Sequence, residues 1–292
     1  MNILPFILFA SSTLVTSLDA PEPHLRTNAG LTEPEYDVFS FSESQSNSSD
    51  LVWYEKAGNI TSTGRPFLAH LAVFHPSFFS FYPPTSSGCV DYMKTSDSSS
   101  TNYDCEYATN GGFFIMNAEE YDVNLCVGNL VSDGHEWVLD GMDSVNFGIT
   151  SDNTMVTGYI DETVYEQMKF TQLLSGKGWL VRNSESYVAK STDVDPRSYF
   201  TVEKAPRTAV GIFSNGSMVL FEVDGEEDID AGPDLYEMSE LLVDLGVVSA
   251  VNLDGGGSSV SVSNGEVISL PTCDDTSTIC EREVQSIACV RR

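Results

Sequence analysis

Short apolar runs separated by turn residues dominate the chain. Leu68–Phe74, Val145–Thr150, Met155–Ile160, Thr208–Phe213 and Met218–Val223 are rich in β-branched and aromatic residues and predict strands. Thr150-Ser151-Asp152-Asn153 and Phe213-Ser214-Asn215-Gly216 read as tight hairpin connections between neighbouring runs. One stretch has helical spacing instead: Leu235, Met238, Leu241, Leu242 and Leu245 form a single apolar face. Pro233 after Gly232 predicts its first helical position, and Gly246 its stop. A buried strand, Val247–Val251, follows at once and runs into Asn252-Leu253-Asp254-Gly255-Gly256-Gly257-Ser258-Ser259. Val260–Val262 and Val267–Leu270 flank the turn 263–266, and Val284–Val290 closes the chain. There is no internal repeat. The pattern predicts an α+β fold: a single domain dominated by mixed β-sheet with a few helices.

Both ends of the pattern carry processing and compartment signals. Residues 1–20 read as a secretory signal peptide, apolar from Ile3 to Ala10 and ending in small residues. Residues 21–50 form a polar, Ser/Pro/Glu-rich leader or flexible arm, and the ordered domain is expected over 51–292. No later apolar run approaches the ~18 residues that a membrane span needs. Six cysteines, without a C-x-x-C pair, favour disulfides over zinc or redox chemistry. Cys273 and Cys280 close a short acidic loop and are expected to pair, while Cys89 and Cys105 tie down the Ser/Asp-rich loop 86–101. Sequons at Asn47, Asn59 and Asn215 predict glycosylation. Together these place the protein in the secretory lumen (Golgi) or outside the cell.

Composition narrows the chemistry. With 43 Asp+Glu against 14 Lys+Arg, the formal charge of −29 excludes the phosphate-backbone attraction that nucleic-acid binding uses. Only four histidines are present, at 24, 70, 75 and 135, so a histidine-rich metal centre is not expected. There is no G-x-S-x-G elbow followed by a histidine, and no H-E-x-x-H, G-x-G-x-x-G or Walker sequence. No cofactor and no metal are expected. What remains is chemistry by carboxylates, amides, hydroxyls and backbone donors, the toolkit of glycosyl and phosphate-ester handling.

Five places carry that toolkit. The run Asn252 to Ser259 puts Gly255, Gly256 and Gly257 directly after a buried strand. Cβ-free residues allow positive φ and close approach, so their N–H groups with the Ser258 and Ser259 hydroxyls predict an anion cradle. A flexible turn is the plainer alternative, but the helix-fed strand gives this loop a rigid base. Asn110-Gly111-Gly112-Phe113-Phe114 suggests a strand end with exposed backbone, or an ordinary turn. Arg207-Thr208 at a strand entrance offers a phosphate fork, or a surface Arg paired with one of many carboxylates. Asp224-Gly225 offers a second carboxylate, with an Asp-Gly turn the plainer reading. His70 lies inside an apolar strand, where a core histidine is the default.

These stretches resemble a known family. Residues 110–117, 128–133, 146–149, 207–211 and 251–258, in this order and within a span from about 68 to 290, are similar to those of the phosphodiester glycosidase family. The resemblance implies disulfides Cys89–Cys126, Cys105–Cys289 and Cys273–Cys280. It also implies hydrolysis of N-acetylglucosamine-1-phosphodiesters, releasing N-acetylglucosamine and exposing mannose 6-phosphate on N-glycans of lysosomal-type glycoproteins. Animal members continue into an EGF-like module, a membrane span and a cytoplasmic tail, for which this sequence has no counterpart. Asp254 is the first choice for the carboxylate at C1 and Asp224 the second. Arg207 and Thr208 join the anion cradle, while Asn110, Gly111, Gly112, Asn252 and His70 are assigned to sugar or phosphate contacts. The expected partner is a glycoprotein N-glycan or a small sugar-phosphodiester; oligomeric state stays open, a homo-oligomer included. The alternatives are a non-catalytic secreted module that binds phosphosugar or glycan, and a glycosidase of another sugar-1-phosphodiester.

Overall fold

The computed structural model describes residues 35–40, 51–116 and 126–292. The expected signal peptide, the Asn47 sequon and the last residue of the 110–117 stretch lie outside them. Three sheets carry the architecture. The six-stranded sheet runs in the order Tyr36–Phe39, Met155–Tyr159, Val145–Thr150, Phe170–Ser175, Leu130–Ser132, His135–Val138. The seven-stranded sheet runs Glu185–Ser186, Trp179–Arg182, Val247–Asn252, Arg207–Phe213, Met218–Val223, Pro66–Phe74, Val52–Asn59. The five-stranded sheet runs Glu266–Val267, Ser261–Ser263, Tyr107–Asn110, Ile287–Val290, Phe79–Tyr82. The pairings in all three are antiparallel, consistent with their many hairpin connections.

Most strand runs read from the sequence reappear within a residue or two, but Val267–Leu270 shortens to Glu266–Val267 and Val284–Val290 divides into Glu283–Val284 and Ile287–Val290. Three further details differ. The polar leader contains an ordered edge strand, Tyr36–Phe39, because its Tyr-Asp-Val-Phe run pairs with 155–158. Asp37 there takes two hydrogen bonds of 2.8 Å from the Arg182 guanidinium. Within 86–101 the chain forms a short helical turn, Thr95–Ser98, instead of a plain loop. The long helix spans Leu235–Leu245, two residues later than Pro233 suggests. Asp234 caps it, accepting from the Glu237 N–H while the Glu237 side chain returns to the Asp234 N–H. Gly246, at φ 93°, ends it.

Alternation along the strands sorts the seven-stranded sheet into two faces. Ala209, Val219, Phe221 and Ala250 pack under the long helix against Leu235, Met238 and Leu242. Val210, Ile212, Leu220 and Val251 face a second core with Phe81, Tyr107, Leu130 and Phe147 from the other two sheets. All three cysteine pairs form as the resemblance implies. Cys105–Cys289 joins residues 184 apart and ties the start of the five-stranded sheet to the end of the chain. Asn59 and Asn215, the two sequons among the described residues, are both exposed. No described helix is long and apolar enough to cross a membrane.

Candidate active site

The strand Val247–Asn252 lies between Trp179–Arg182 and Arg207–Phe213, and the glycine bend leaves its end. Leu253 donates to Thr208 O at 2.9 Å, Asp254 to Gly111 O at 3.1 Å and Gly256 to Pro206 O at 2.8 Å. The bend is therefore stitched to the Asn110 segment and to the entrance of the Arg207 strand. Asn110 is fully buried and acts as the clasp. Its amide donates to Asp254 O at 2.7 Å, and its Oδ1 accepts from the Thr208 hydroxyl at 2.7 Å and from Val260 N at 3.3 Å. The Ser259 hydroxyl lies 3.3 Å from that of Thr208.

The glycines are not open donors. Gly256 is the positive-φ residue, at 57°, that starts the 3-10 turn Gly256–Ser258. Gly255 N–H bonds Asp254 Oδ1 at 3.0 Å, and Ser258 and Ser259 N–H close onto Gly255 O and Gly256 O. Gly257 N–H bonds Asp275 Oδ1 at 2.6 Å. The bend does hold an anion, and the anion is the chain's own Asp275. That carboxylate also takes two bonds, of 3.0 and 2.9 Å, from Arg282 Nη2, while Arg282 Nη1 reaches Ser258 Oγ at 3.3 Å. Arg282 Nε anchors to Cys273 O at 2.8 Å, so the Cys273–Cys280 loop carries both members of the pair or their support. The backbone cradle expected from 255–259 is thus replaced by side-chain groups around a hydrogen-bonded turn.

Gly111 and Gly112 are likewise spent on packing. Their N–H groups bond Ser286 O and Ser286 Oγ, each at 2.8 Å, and a Cβ on Gly111 would come within 2.9 Å of the Ser286 backbone. Arg207 and Thr208 point to opposite faces of their strand. Thr208 joins Asn110, whereas Arg207 is buried on the helix side, donating to Glu203 O at 3.0 Å, Phe200 O at 3.1 Å and Pro233 O at 3.5 Å. Burial lowers its pKa from the ordinary arginine value. The side chain is a structural clamp with its guanidinium edge near Gly255, not an open fork. Asn252 shares the Arg207 face, since it pairs with Ala209, and its amide donates to Lys177 O at 3.0 Å.

Asp224 and His70 form a separate group. His70 Nε2 lies 3.0 Å from Asp224 Oδ2, and Leu270 N–H takes the other Asp224 oxygen at 2.8 Å. Glu222, opposite His70 in register, is buried beside them, and its pKa is raised well above the ordinary value by that burial and by Asp224. Ligand atoms of His70, Glu222 and Asp224 lie within 4.8 Å of one another. Glu222 is in register with Thr208 and accepts from the Ser261 hydroxyl, so the group borders the clasp, while among the described residues no hydrogen bond or ion pair joins Asp224 or His70 to the Asp254 carboxylate.

Asp254 remains as the acid of the bend. Its carboxylate accepts from Gly255 N–H and from the Ser258 hydroxyl, yet burial outweighs them and raises its pKa to about 6. The family model for phosphodiester glycosidase matches residues 103–291. This chain belongs to the phosphodiester glycosidase family. The human N-acetylglucosamine-1-phosphodiester alpha-N-acetylglucosaminidase is 39% identical over 222 residues, covering 71% of this chain and 42% of the human protein. Its mouse counterpart is 37% identical over 244 residues, 78% of this chain and 46% of the mouse protein. The chain therefore spans less than half the length of these two relatives. Among solved structures, the zebrafish enzyme's catalytic domain, described as auto-inhibited by its pro-peptide, matches with TM-score 0.76 at 28% identity. That match covers 89% of each chain.

Within this member of the family, four residues around the bend escape a reading of motifs. Asp275 comes from the disulfide loop, and Arg282 and Ser286 from the chain between it and the last strand. Glu227 comes from the short turn Glu227–Ile229. A lone Arg two residues after Cys280, in a chain with 14 cationic residues, is the one signal that could have pointed to Arg282.

Proposed function

We propose that this chain is a hydrolase that cleaves the sugar–phosphate bond of N-acetylglucosamine-1-phosphodiesters. It releases N-acetylglucosamine and exposes mannose 6-phosphate on N-glycans of lysosomal-type glycoproteins in the secretory lumen. The observation that carries this reading is Asp254: a partly buried carboxyl group on a hydrogen-bonded bend, flanked by Arg207 and Arg282, in a chain that belongs to this family. The activity for which the human and mouse relatives are named supports the substrate class. Three disulfides and two exposed sequons support an oxidising, glycosylating compartment.

In such a diester the leaving group is a phosphomonoester, which departs far more readily than an alcohol. The site needs cationic and hydroxyl donors for the phosphate and a carboxylate for the positive charge that develops at C1. Arg282 is the donor on the Asp254 side, and Arg207 adds positive potential from behind the bend. The Asn110–Thr208–Ser259 clasp fixes the bend, so Asp254 is positioned before substrate arrives. Above about pH 6 Asp254 is ionised and can act at C1.

The test is release of N-acetylglucosamine from a GlcNAc-1-phospho-mannoside by wild type and by Asp254→Asn. The expected result is turnover by wild type and a fall of 10² or more in the folded variant. Near-normal turnover by the variant removes Asp254 from the chemistry. Binding without release by wild type replaces the hydrolase with a phosphosugar-binding module.

A further inference from the structure

A second carboxyl group reaches the bend from outside it. Glu227 opens the turn Glu227–Ile229, and Asp230, at φ 53°, closes that turn by donating its N–H to Glu227 O. A bridge between Glu226 and Ala231 pins the base of the turn. So held, the Glu227 side chain lies over Gly256, and a Cβ on that glycine would fall on Glu227 Oε1. The bare α-carbon is what admits the carboxyl group to the bend.

The charged surroundings of Glu227 come from every neighbouring segment. Glu203 and Tyr199 approach from the Tyr199–Val202 turn and its end, Arg207 from its strand, Asp275 from the disulfide loop and Arg282 from just after it. Arg207 feels Asp254 as well as Glu227, so one buried cation links the two acids. Among the described residues no hydrogen-bond donor reaches the Glu227 carboxyl group. By contrast Asp275, Asp224 and Glu237 each hold partners that fix structure. An unbonded, partly buried acid lying against the Asp254 bend has no comparable structural task.

We propose that Glu227 is a second catalytic residue of this site, the proton donor to the phosphate oxygen that leaves C1. This deepens the hydrolase reading above and rests on it. The C1–O bond breaks with its electron pair on the phosphate oxygen, and the Glu227 proton moves to that oxygen. A water oxygen bonds to C1 and gives one proton to Asp254. Exchange with solvent then returns a proton to Glu227 and removes one from Asp254. The released phosphomonoester has a second pKa near 6, so a carboxyl group of similar acidity shares a proton with it efficiently.

The titration of the two acids fits these roles. Burial, then Asp275 and Glu203, push Glu227 up to about 7 against the pull of Arg207 and Arg282, while Asp254 stands at about 6. Between those values the base is ionised and the acid still carries its proton. The rate therefore rises with pH through about 6 and falls through about 7.

The experiment is a pH profile of kcat and KM, from about pH 4.5 to 8.5, on GlcNAc-1-phospho-mannoside. Wild type, Glu227→Gln and Glu227→Asp are compared, with thermal melts alongside. Glu227→Gln is expected to lower kcat by 10² or more with KM within about threefold, and to lose the alkaline limb while keeping the acid limb. Glu227→Asp should restore an alkaline limb at reduced kcat. A Glu227→Gln profile that keeps its alkaline limb, at any level of activity, overturns the proposal. So does a Glu227→Asp without that limb. A wild type that releases no sugar overturns the hydrolase reading itself, and this proposal with it.

Discussion

An alanine scan through the three glycines separates their roles because each added methyl meets something different. At Gly255 the new Cβ would lie 3.1 Å from Pro206 O and 3.5 Å from Arg207 Cδ, with φ at an ordinary −134°. The contact is tight, but the unfolded chain loses freedom in compensation, about 0.4–1 kcal/mol. The expected net change is within about 1 kcal/mol. At Gly256 an alanine must adopt φ 57°, which costs about 1–2 kcal/mol, and its methyl lands on Glu227 Oε1. That oxygen ends a flexible side chain and moves aside cheaply. Stability should fall by about 1–2 kcal/mol, while kcat should fall by about 10² because the acid has been pushed off the bend. At Gly257 the methyl meets Thr272 O at 2.7 Å, Asp275 Oδ1 at 2.5 Å and the Arg282 guanidinium. A backbone carbonyl cannot swing away, and the ion pair must break, so the cost should reach about 3 kcal/mol. Urea melts with parallel kinetics on the folded protein measure both quantities. The decisive member is Gly256→Ala combined with Glu227→Ala, in which only the backbone cost should remain and kcat should match that of Glu227→Ala alone. A further large loss of kcat in the double variant, or a Gly257→Ala protein as stable as Gly255→Ala, would refute the reasoning.

Two other substitutions test the buried charges. Glu222 has its folded-state pKa raised by burial above the ordinary 4.5. Its contribution is therefore fully present below about pH 4.5 and is lost as pH rises toward the folded value. Glu222→Gln cannot ionise, so its melting temperature should match wild type near pH 4 and exceed it increasingly toward pH 8, by about 2–4 °C per kcal/mol. A gap that does not change with pH contradicts this account. Arg207→Met should leave the carbonyls of Phe200, Glu203 and Pro233 short of a donor, at about 1–3 kcal/mol each. The signature is a large drop in melting temperature with KM for the phosphodiester changed by less than about threefold; unchanged melting with a 10²-fold rise in KM would return Arg207 to the phosphate.

The strands were legible because their residues carry the signal locally. Met218–Val223 and Val145–Thr150 begin and end where their apolar runs do, bounded by turn residues that need no distant partner. The helix start was displaced because Pro233 is a weaker marker than the Asp234–Glu237 pair, which was present in the sequence as a capping box. The bend was legible as a place and not as a mechanism. Its glycines announce close approach, but the acceptors of their N–H groups, Pro206 O and Asp275, lie far along the chain. The opposite facing of Arg207 and Thr208 follows from strand alternation alone, so that separation was within reach. Glu227 was hidden for a compositional reason: among 43 acidic residues, nothing in the run Glu226-Glu227-Asp228 distinguishes the one side chain that a distant glycine admits.

The placement of the two arginines explains why the acids at the bend remain protonatable in a mildly acidic range. A guanidinium bonded directly to a carboxylate holds that carboxylate ionised to low pH. Here Arg282 is bonded to Asp275 and Cys273 O, and Arg207 to three backbone carbonyls. Both cations act on Asp254 or Glu227 through space only, so burial remains the largest influence and sets the values at about 6 and about 7. The same arrangement answers the problem raised by a formal charge of −29. An anionic phosphodiester gains nothing from the long-range field of this protein, and its capture depends on donors within hydrogen-bond reach. Fixing those cations on carbonyls and on Asp275 keeps positive charge beside the bend without neutralising Asp254 and Glu227. Asp275 is thus the sacrificial partner: it takes the direct ion pair, and by taking it leaves Asp254 and Glu227 free to exchange protons.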